Sequence, residues 1–378
     1  MRPSPSICFV STYPPTRCGL ATFTQSLLQA IAVGRGSRRG LSVAAIDPGV
    51  KDRLKRMEGR PSEVVATFDM RSSDRPVSLP GDVVVLQHEF GIYGKDDGVG
   101  VLDIADRVAS ELIVVFHTVL TSPSDRQRFI VEELAGRSRS VIVMSEAARR
   151  LLRNNYELSN RPVESIPHGA RLVDPRPHSS DQRPLILSWG LLGPGKGLET
   201  GIEALTRLRH LKPLPLYIIA GQTHPNVLRD QGEQYRHDLA HRARELGVGD
   251  MVYFVNHYLS ETNLAMLLSR ARVVLLPYES REQVTSGALV EALAARVPVV
   301  ATRFPHALEL LSAGAGELVD HHDPGAVAIA LEKLLTDPSA RHAADTAISR
   351  IRAQLSWKAV AARYEAAISR VGVEAGAA

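Results

Sequence analysis

Cysteine is nearly missing: there are two in 378 residues, Cys8 and Cys18. One sits in an apolar run and the other in the Pro-rich stretch after it, so no disulfide framework or cysteine metal site can be built. Cys8 reads as core and Cys18 as a small loop residue. Long apolar runs are missing too. None approaches the roughly 20 residues that a membrane span requires. The opening "MRPSPSICFVSTYPP" lacks the long apolar segment and small-residue cleavage site of a secretory signal, which predicts a cytoplasmic location. Nor is there a large excess of charge, with 45 Lys and Arg against 41 Asp and Glu, a net +4. The cluster Arg35, Arg38 and Arg39 leaves open a phosphate-rich partner or weak association with an anionic membrane surface, and solvated surface charge is the plainer alternative. No zinc-finger spacing, RNA-binding aromatic motif or heptad array occurs, so nucleic acid is not an expected partner.

What is present is an ordinary globular composition, 44% apolar and 23% charged, at a length suited to two domains of roughly 100 to 200 residues each. Short β-branched runs alternate with amphipathic windows: "SICFVS", "LSVAAI", "DVVVLQH", "ELIVVFH" and "SVIVMS", then "PLILSWG", "PLYIIAG", "MVYFV", "RVVLLPY" and "VPVVAT". That alternation predicts an α/β protein with two doubly wound, Rossmann-like parallel-sheet domains. The stretch 168–185, rich in Pro, Ser and charge, is the candidate linker. The domains are placed at 1–170 and 171–355. A C-terminal helix at 356–378 is expected to pack back on the first, with Trp357, Val360, Tyr364 and Ile368 on one face and the tail "EAGAA" fraying.

In open α/β sheets ligands sit beyond the carboxyl ends of strands. Gly19, His88, His117 and Gly190 all follow strands, which points to a site in a cleft between the domains. "GLLGPGKG" places Gly190, Gly195 and Lys196 at the spacing of a Walker A loop, but Gly197 stands where the magnesium-binding hydroxyl belongs. No later strand of this half ends in the required carboxylate either. What survives is a diphosphate held by helix amides and Lys196, or a plain glycine turn with a surface lysine. Further on, Ser286 can cap a helix beginning at Gly287, and Glu291 is flanked by Val290, Ala292 and Leu293. A carboxylate in such surroundings needs a partner, and ribose hydroxyls would serve. Other histidines, including His237, His241, His321 and His322, lack ligand spacing, so no metal site is expected.

The ordered set "YPPTRCGLATF", "FHT", "PHG", "GLLGPGKG", "IAG", "LLPY", "TSGALVEALAARVPVVAT" and "LVDHHDPGAVAIAL" resembles retaining glycosyltransferases of family 4, which have the two-domain GT-B fold. "QHEFGIYG" and the Ser-Gly form of the donor motif look like a bacterial subgroup of that family. The resemblance implies that Gly19 approaches the donor diphosphate and that His117 contacts the donor sugar. It implies that Lys196 neutralises the leaving group, that Ser286 and Gly287 give amides to phosphate, and that Glu291 binds the ribose. Two departures stand out: Leu191 replaces an Arg, and Gln283 replaces the first Glu of an E-x7-E motif. Gln283 can still bond a sugar hydroxyl. In the first half, His88 and Glu89 are candidates for acceptor hydroxyls.

The expectation is a retaining hexosyltransferase using a nucleotide diphosphate sugar, GDP-mannose or UDP-glucose, and a carbohydrate or other hydroxyl acceptor, without a metal or other cofactor. A sugar-nucleotide epimerase and a non-catalytic sugar-nucleotide sensor are the alternatives.

Overall fold

The structure is a computed structural model, and it describes residues 4–47, 61–70, 79–94, 96–177 and 182–375. It divides into two compact units: Met1–Gly169 with Trp357–Ala378, and Ala170–Ser356.

The first unit is built on seven parallel strands: β1 (Ile7–Ser11), β2 (Leu41–Asp47), β3 (Val64–Asp69), β4 (Val83–His88), β5 (Glu111–Phe116), β6 (Ser140–Val143) and β7 (Val163–Ser165), in spatial order 3-2-1-4-5-6-7. Strands β1 and β4, at the centre, are buried along their whole length. This is why they read as unbroken apolar runs, since a parallel sheet covered on both faces leaves no side for polar residues. Strand β3 at the edge alternates in exposure, and Val65 is half exposed. The Trp357–Ala375 helix buries Val360, Tyr364, Ile368 and Val371 in the same core as Ile7, Phe9 and Leu27. Gly169 is required where this helix begins. A Cβ there would lie 2.1 Å from the Trp357 ring, so the glycine serves a close approach rather than a turn. The last residues of the tail and part of the linker lie outside the described residues.

The second unit has six parallel strands: β8 (Leu185–Trp189), β9 (Leu216–Ala220), β10 (Val252–Val255), β11 (Ala271–Leu276), β12 (Val299–Thr302) and β13 (Gly316–Val319), in order 10-9-8-11-12-13. In both units the order reverses beside the first strand, between β1 and β4 and between β8 and β11. Such a reversal parts the outgoing loops and opens a crevice at the carboxyl edge, where α/β sheets bind ligands. Among the described residues, no helix is long and apolar enough to cross a membrane.

Candidate functional site

At the reversal of the second unit, β8 ends in Trp189 and the chain turns through Gly190, whose φ of 127° only glycine adopts comfortably. The loop then runs to Gly195 and Gly197 and is locked to the loop after β11. The Glu279 amide donates to the Gly195 carbonyl at 3.0 Å, and a Cβ on Gly197 would lie 1.9 Å from the Pro277 carbonyl oxygen. This clamp fixes Lys196, whose Nζ lies 4.6 Å from the centre of the Tyr278 ring. Tyr278 is itself stacked on Phe304. Among the described residues, no carboxylate forms an ion pair with Lys196. An aromatic face holds the cation in place without neutralising it, so its charge stays available to an anion.

After β11 the chain enters the Gly287–Ala294 helix, with Ser286 as its N-cap: the serine oxygen accepts from the Leu289 amide at 3.3 Å. The expectation that Ser286 also offers its own amide to phosphate is corrected here. That amide donates to His306 Nδ1 at 2.8 Å, at a buried position. Gly287, the first residue of the helix, carries one of the amides that have no acceptor within it. Gln283 lies just upstream, and its side-chain amide donates to the Thr285 carbonyl at 3.0 Å.

Glu291 sits on the same helix. Its carboxylate accepts a hydrogen bond from Trp189 Nε1 at 3.1 Å. Burial pushes its pKa up to about 7, with the Trp189 bond acting against the rise and Glu261 adding to it. The partner that the sequence demanded for this carboxylate is therefore supplied in part by the protein, from the strand end next to Gly190.

In the first unit His117 after β5, His168 after β7 and Trp357 gather around Phe23 of the Gly19–Arg35 helix. His117 meets the Phe23 ring edge-on at 4.9 Å and His168 meets it at 5.0 Å. His117 Nε2 is 2.7 Å from Gln87 Oε1, which fixes the ring plane. Burial holds the His117 pKa well below the usual histidine range, and neighbouring His168 and His88 lower it further. The ring is neutral at pH 7. Gly19 opens the helix with nothing within 4 Å of its would-be Cβ. Cys18 caps this helix through its sulfur, which accepts from the Ala21 amide at 3.4 Å, so it does more than fill a loop.

The two acceptor candidates separate. Glu89 is surrounded by protein: one carboxylate oxygen accepts from Thr118 Oγ1 at 2.7 Å and the other from the Phe90 amide at 3.0 Å. Burial raises its pKa, and those two bonds oppose the rise. His88 is a correction. Its ring is 0% exposed, packed edge-on against Phe90 and Phe116 and parallel to Tyr93. Among the described residues, neither ring nitrogen has a hydrogen-bond partner. Burial drives its pKa down to about 3. Continuous with an apolar strand, it packs as an aromatic ring rather than facing an acceptor.

Four residues that complete the geometry are not evident from the sequence motifs: Gln87 behind His117, Thr118 beside Glu89, Trp189 on Glu291 and His306 on the Ser286 amide. Adjacency to His88, His117 and Gly190 is a usable signal for the first three. His306 lies twenty residues from Ser286 and gives none.

The basic cluster is partly discharged. Arg35 pairs with Glu365 at 2.9 Å, and Arg38 lies 3.7 Å from Glu63. Among the described residues no group of three or more His, Cys, Asp or Glu could hold a metal ion.

Residues 173–350 match the family described as glycosyl transferases group 1. A relative, D-inositol 3-phosphate glycosyltransferase from Corynebacterium glutamicum, is 28% identical over 276 residues, 67% of this chain and 63% of the relative, so the match spans less than two thirds of that protein. Among solved structures, sucrose-phosphate synthase from Thermosynechococcus elongatus is similar over 98% of this chain and 100% of its own, with a TM-score of 0.72 at 17% identity. HepE from Anabaena, solved in complex with UDP and glucose, is similar over 97% and 100%, with a TM-score of 0.73 at 17% identity. The matched segment fills almost all of the second unit, and both structures share the fold of this chain. Residues 173–350 are therefore similar to the glycosyl transferases group 1 family, and the chain has the GT-B fold.

Proposed function

We propose that the protein is a retaining glycosyltransferase that moves a hexose from a nucleoside diphosphate sugar to a hydroxyl acceptor. The observation that carries this reading is Lys196. A cation without a carboxylate partner among the described residues is held on an aromatic face, at a glycine turn clamped to the neighbouring loop, in the unit that also carries the Gly287 amide and the Glu291 carboxylate. Such a set suits a diphosphate followed by a ribose. The complex of HepE with UDP and glucose supports this class of donor, and the name of the Corynebacterium relative supports glycosyl transfer. UDP-glucose and GDP-mannose are the donors to test first.

In the proposed reaction the bond from the anomeric carbon to the β-phosphate oxygen breaks and a bond to the acceptor oxygen forms on the same face. The acceptor's proton passes to the departing phosphate oxygen. Lys196 and the Gly287 amide stabilise the charge that builds on the diphosphate, in the manner of a preorganised oxyanion site. The Glu291 carboxylate accepts from the ribose hydroxyls. In the first unit, neutral His117 offers a nitrogen to a donor-sugar hydroxyl, Gly19 offers its amide to the diphosphate, and Glu89 receives an acceptor hydroxyl. Gln283 keeps a carbonyl oxygen for the sugar, its amide being held by Thr285.

Lys196→Ala tests the reading. Transfer from UDP-glucose or GDP-mannose, followed as released nucleoside diphosphate, is expected to fall at least about tenfold in kcat/KM, which corresponds to about 1.4 kcal/mol of transition-state stabilisation. Unchanged turnover would remove Lys196 from the reaction.

A further inference from the structure

A second side chain able to carry a positive charge reaches the glycine loop from a different strand. The stretch after β9 runs beside the glycine loop: the Leu192 amide donates to the Gln222 carbonyl at 2.9 Å, and the His224 amide donates to the Leu192 carbonyl at 2.7 Å. Leu192 and Thr223 form a parallel bridge. A Cβ on Gly193 would lie 3.7 Å from the His224 Cβ. His224 is thus carried on the same small ladder as the loop that carries Lys196.

The ring's orientation is set by one of its nitrogens. Nδ1 accepts from the Asn226 amide at 3.2 Å, which leaves Nε2 as the nitrogen that carries the proton in the neutral ring. The charged groups around it are otherwise engaged. Glu233 accepts from Thr223 Oγ1 and pairs with buried Arg236, and on the following helix Arg229 pairs with Asp230. His237 acts electrostatically on Glu233. Among the described residues, Lys196 is the charged neighbour that reaches His224, and it disfavours the imidazolium after burial has already done so. Two cationic groups that oppose each other form an arrangement that a bound anion would relieve.

We propose that His224 is a second diphosphate-binding residue, its Nε2–H donating to a phosphate oxygen of the nucleoside diphosphate beside Lys196. This deepens the donor reading above and rests on it. With the diphosphate bound, its negative charge outweighs Lys196 and the imidazole takes up a proton near neutral pH.

The test is titration of the full-length protein with UDP and GDP at pH 6 and pH 8, alongside the corresponding nucleosides. His224→Asn keeps an acceptor for the Asn226 amide but removes Nε2, whereas His224→Gln keeps a distal donor that cannot ionise. On the proposal, the Asn variant binds the diphosphate about tenfold more weakly at pH 6, with a smaller loss at pH 8 and no loss for the nucleoside. The Gln variant keeps part of the affinity but loses that pH difference relative to native protein. In histidine NMR, the resonance missing from both variants titrates at higher pH when the diphosphate is bound. Glu291 titrates in every variant, so the comparison is between native and variant at each pH. Equal affinity of native and Asn variant at pH 6, or an unmoved His224 resonance, overturns the proposal and leaves the donor reading standing. If native protein binds neither nucleotide at either pH, the donor reading itself falls.

Discussion

A carboxylic acid with a pKa of about 7 is in the wrong protonation state for half of its molecules at neutral pH, and Glu291 is that residue. The unfolded carboxyl ionises near 4.5, so between that pH and about 7 the native protein holds a proton that the unfolded chain has released. Stability therefore falls as pH rises through this window. The contribution is on the order of 1 to 3 kcal/mol, since a tenfold change in a protonation equilibrium is worth about 1.4 kcal/mol. Glu291→Gln, which cannot ionise, is expected to flatten this part of the pH–stability curve measured by urea unfolding. It should also weaken binding of the nucleoside diphosphate at pH 8 more than at pH 6, because ribose hydroxyls bond best to the ionised acid. A variant that keeps the native slope between pH 5 and 7 would show that another group titrates there.

At the scale of an element, the Gly287–Ala294 helix is held at its start by two bonds that a single-residue view misses. Ser286 caps it with its side chain, and the Ser286 amide is in turn anchored on His306. Ser286→Ala should cost about 0.5 to 2 kcal/mol, as for other serine caps. The backbone bond to His306 survives that change, so the helix should keep its position. Chemical denaturation is expected to show this loss, with nucleoside diphosphate affinity falling by less than about threefold. A much larger loss of affinity than of stability would mean that the hydroxyl itself meets phosphate. The glycine loop is fixed by contrast through absence of side chains, since a Cβ at Gly197 would strike the Pro277 carbonyl.

At the scale of the whole molecule the two units carry buried groups of opposite titration sense. The first holds His88, His117 and His168, all neutral and all held below the free histidine value mainly by burial, His88 to about 3 and His168 to about 4. Below about pH 6.5 the unfolded chain binds protons that these rings refuse, so the first unit loses stability as the solution is acidified. The second unit holds Glu291, whose contribution runs the other way. The chain has two tryptophans, Trp357 in the first unit and Trp189 in the second. In a Trp189→Phe variant, Trp357 fluorescence is expected to report a melting temperature that drops by several degrees between pH 7 and pH 5, in line with roughly 2 to 4 °C per kcal/mol for units of this size. A transition unmoved over that range would mean that the rings are hydrated in solution.

Much of the fold is legible because burial on both faces of a parallel strand leaves an uninterrupted apolar run. Ten apolar runs stand out in the sequence and each is a strand, edge strand β10 among them although it is partly exposed. Three strands escape. Edge strand β3 is half exposed, β7 has three residues, and β13 has four, beginning at a glycine. None buries enough apolar surface to leave a pattern. In the candidate site, Gly190, Lys196, Ser286 and Glu291 can be named because glycine turns and caps are local chemistry, written within a few residues. Which groups those residues meet is not local. His88 and His117 both end apolar strands in the sequence, yet the rings of Phe90, Tyr93 and Phe116 seal one while Gln87 holds the other. The sequence by itself determined the strand-and-helix alternation, the glycine turn and the helix cap, since these depend on neighbours along the chain. Only the tertiary structure decided that Trp189 meets Glu291, that His306 takes the Ser286 amide and that His224 stands beside the glycine loop. Those contacts join residues from different strands, and packing brings them together without leaving a periodic trace.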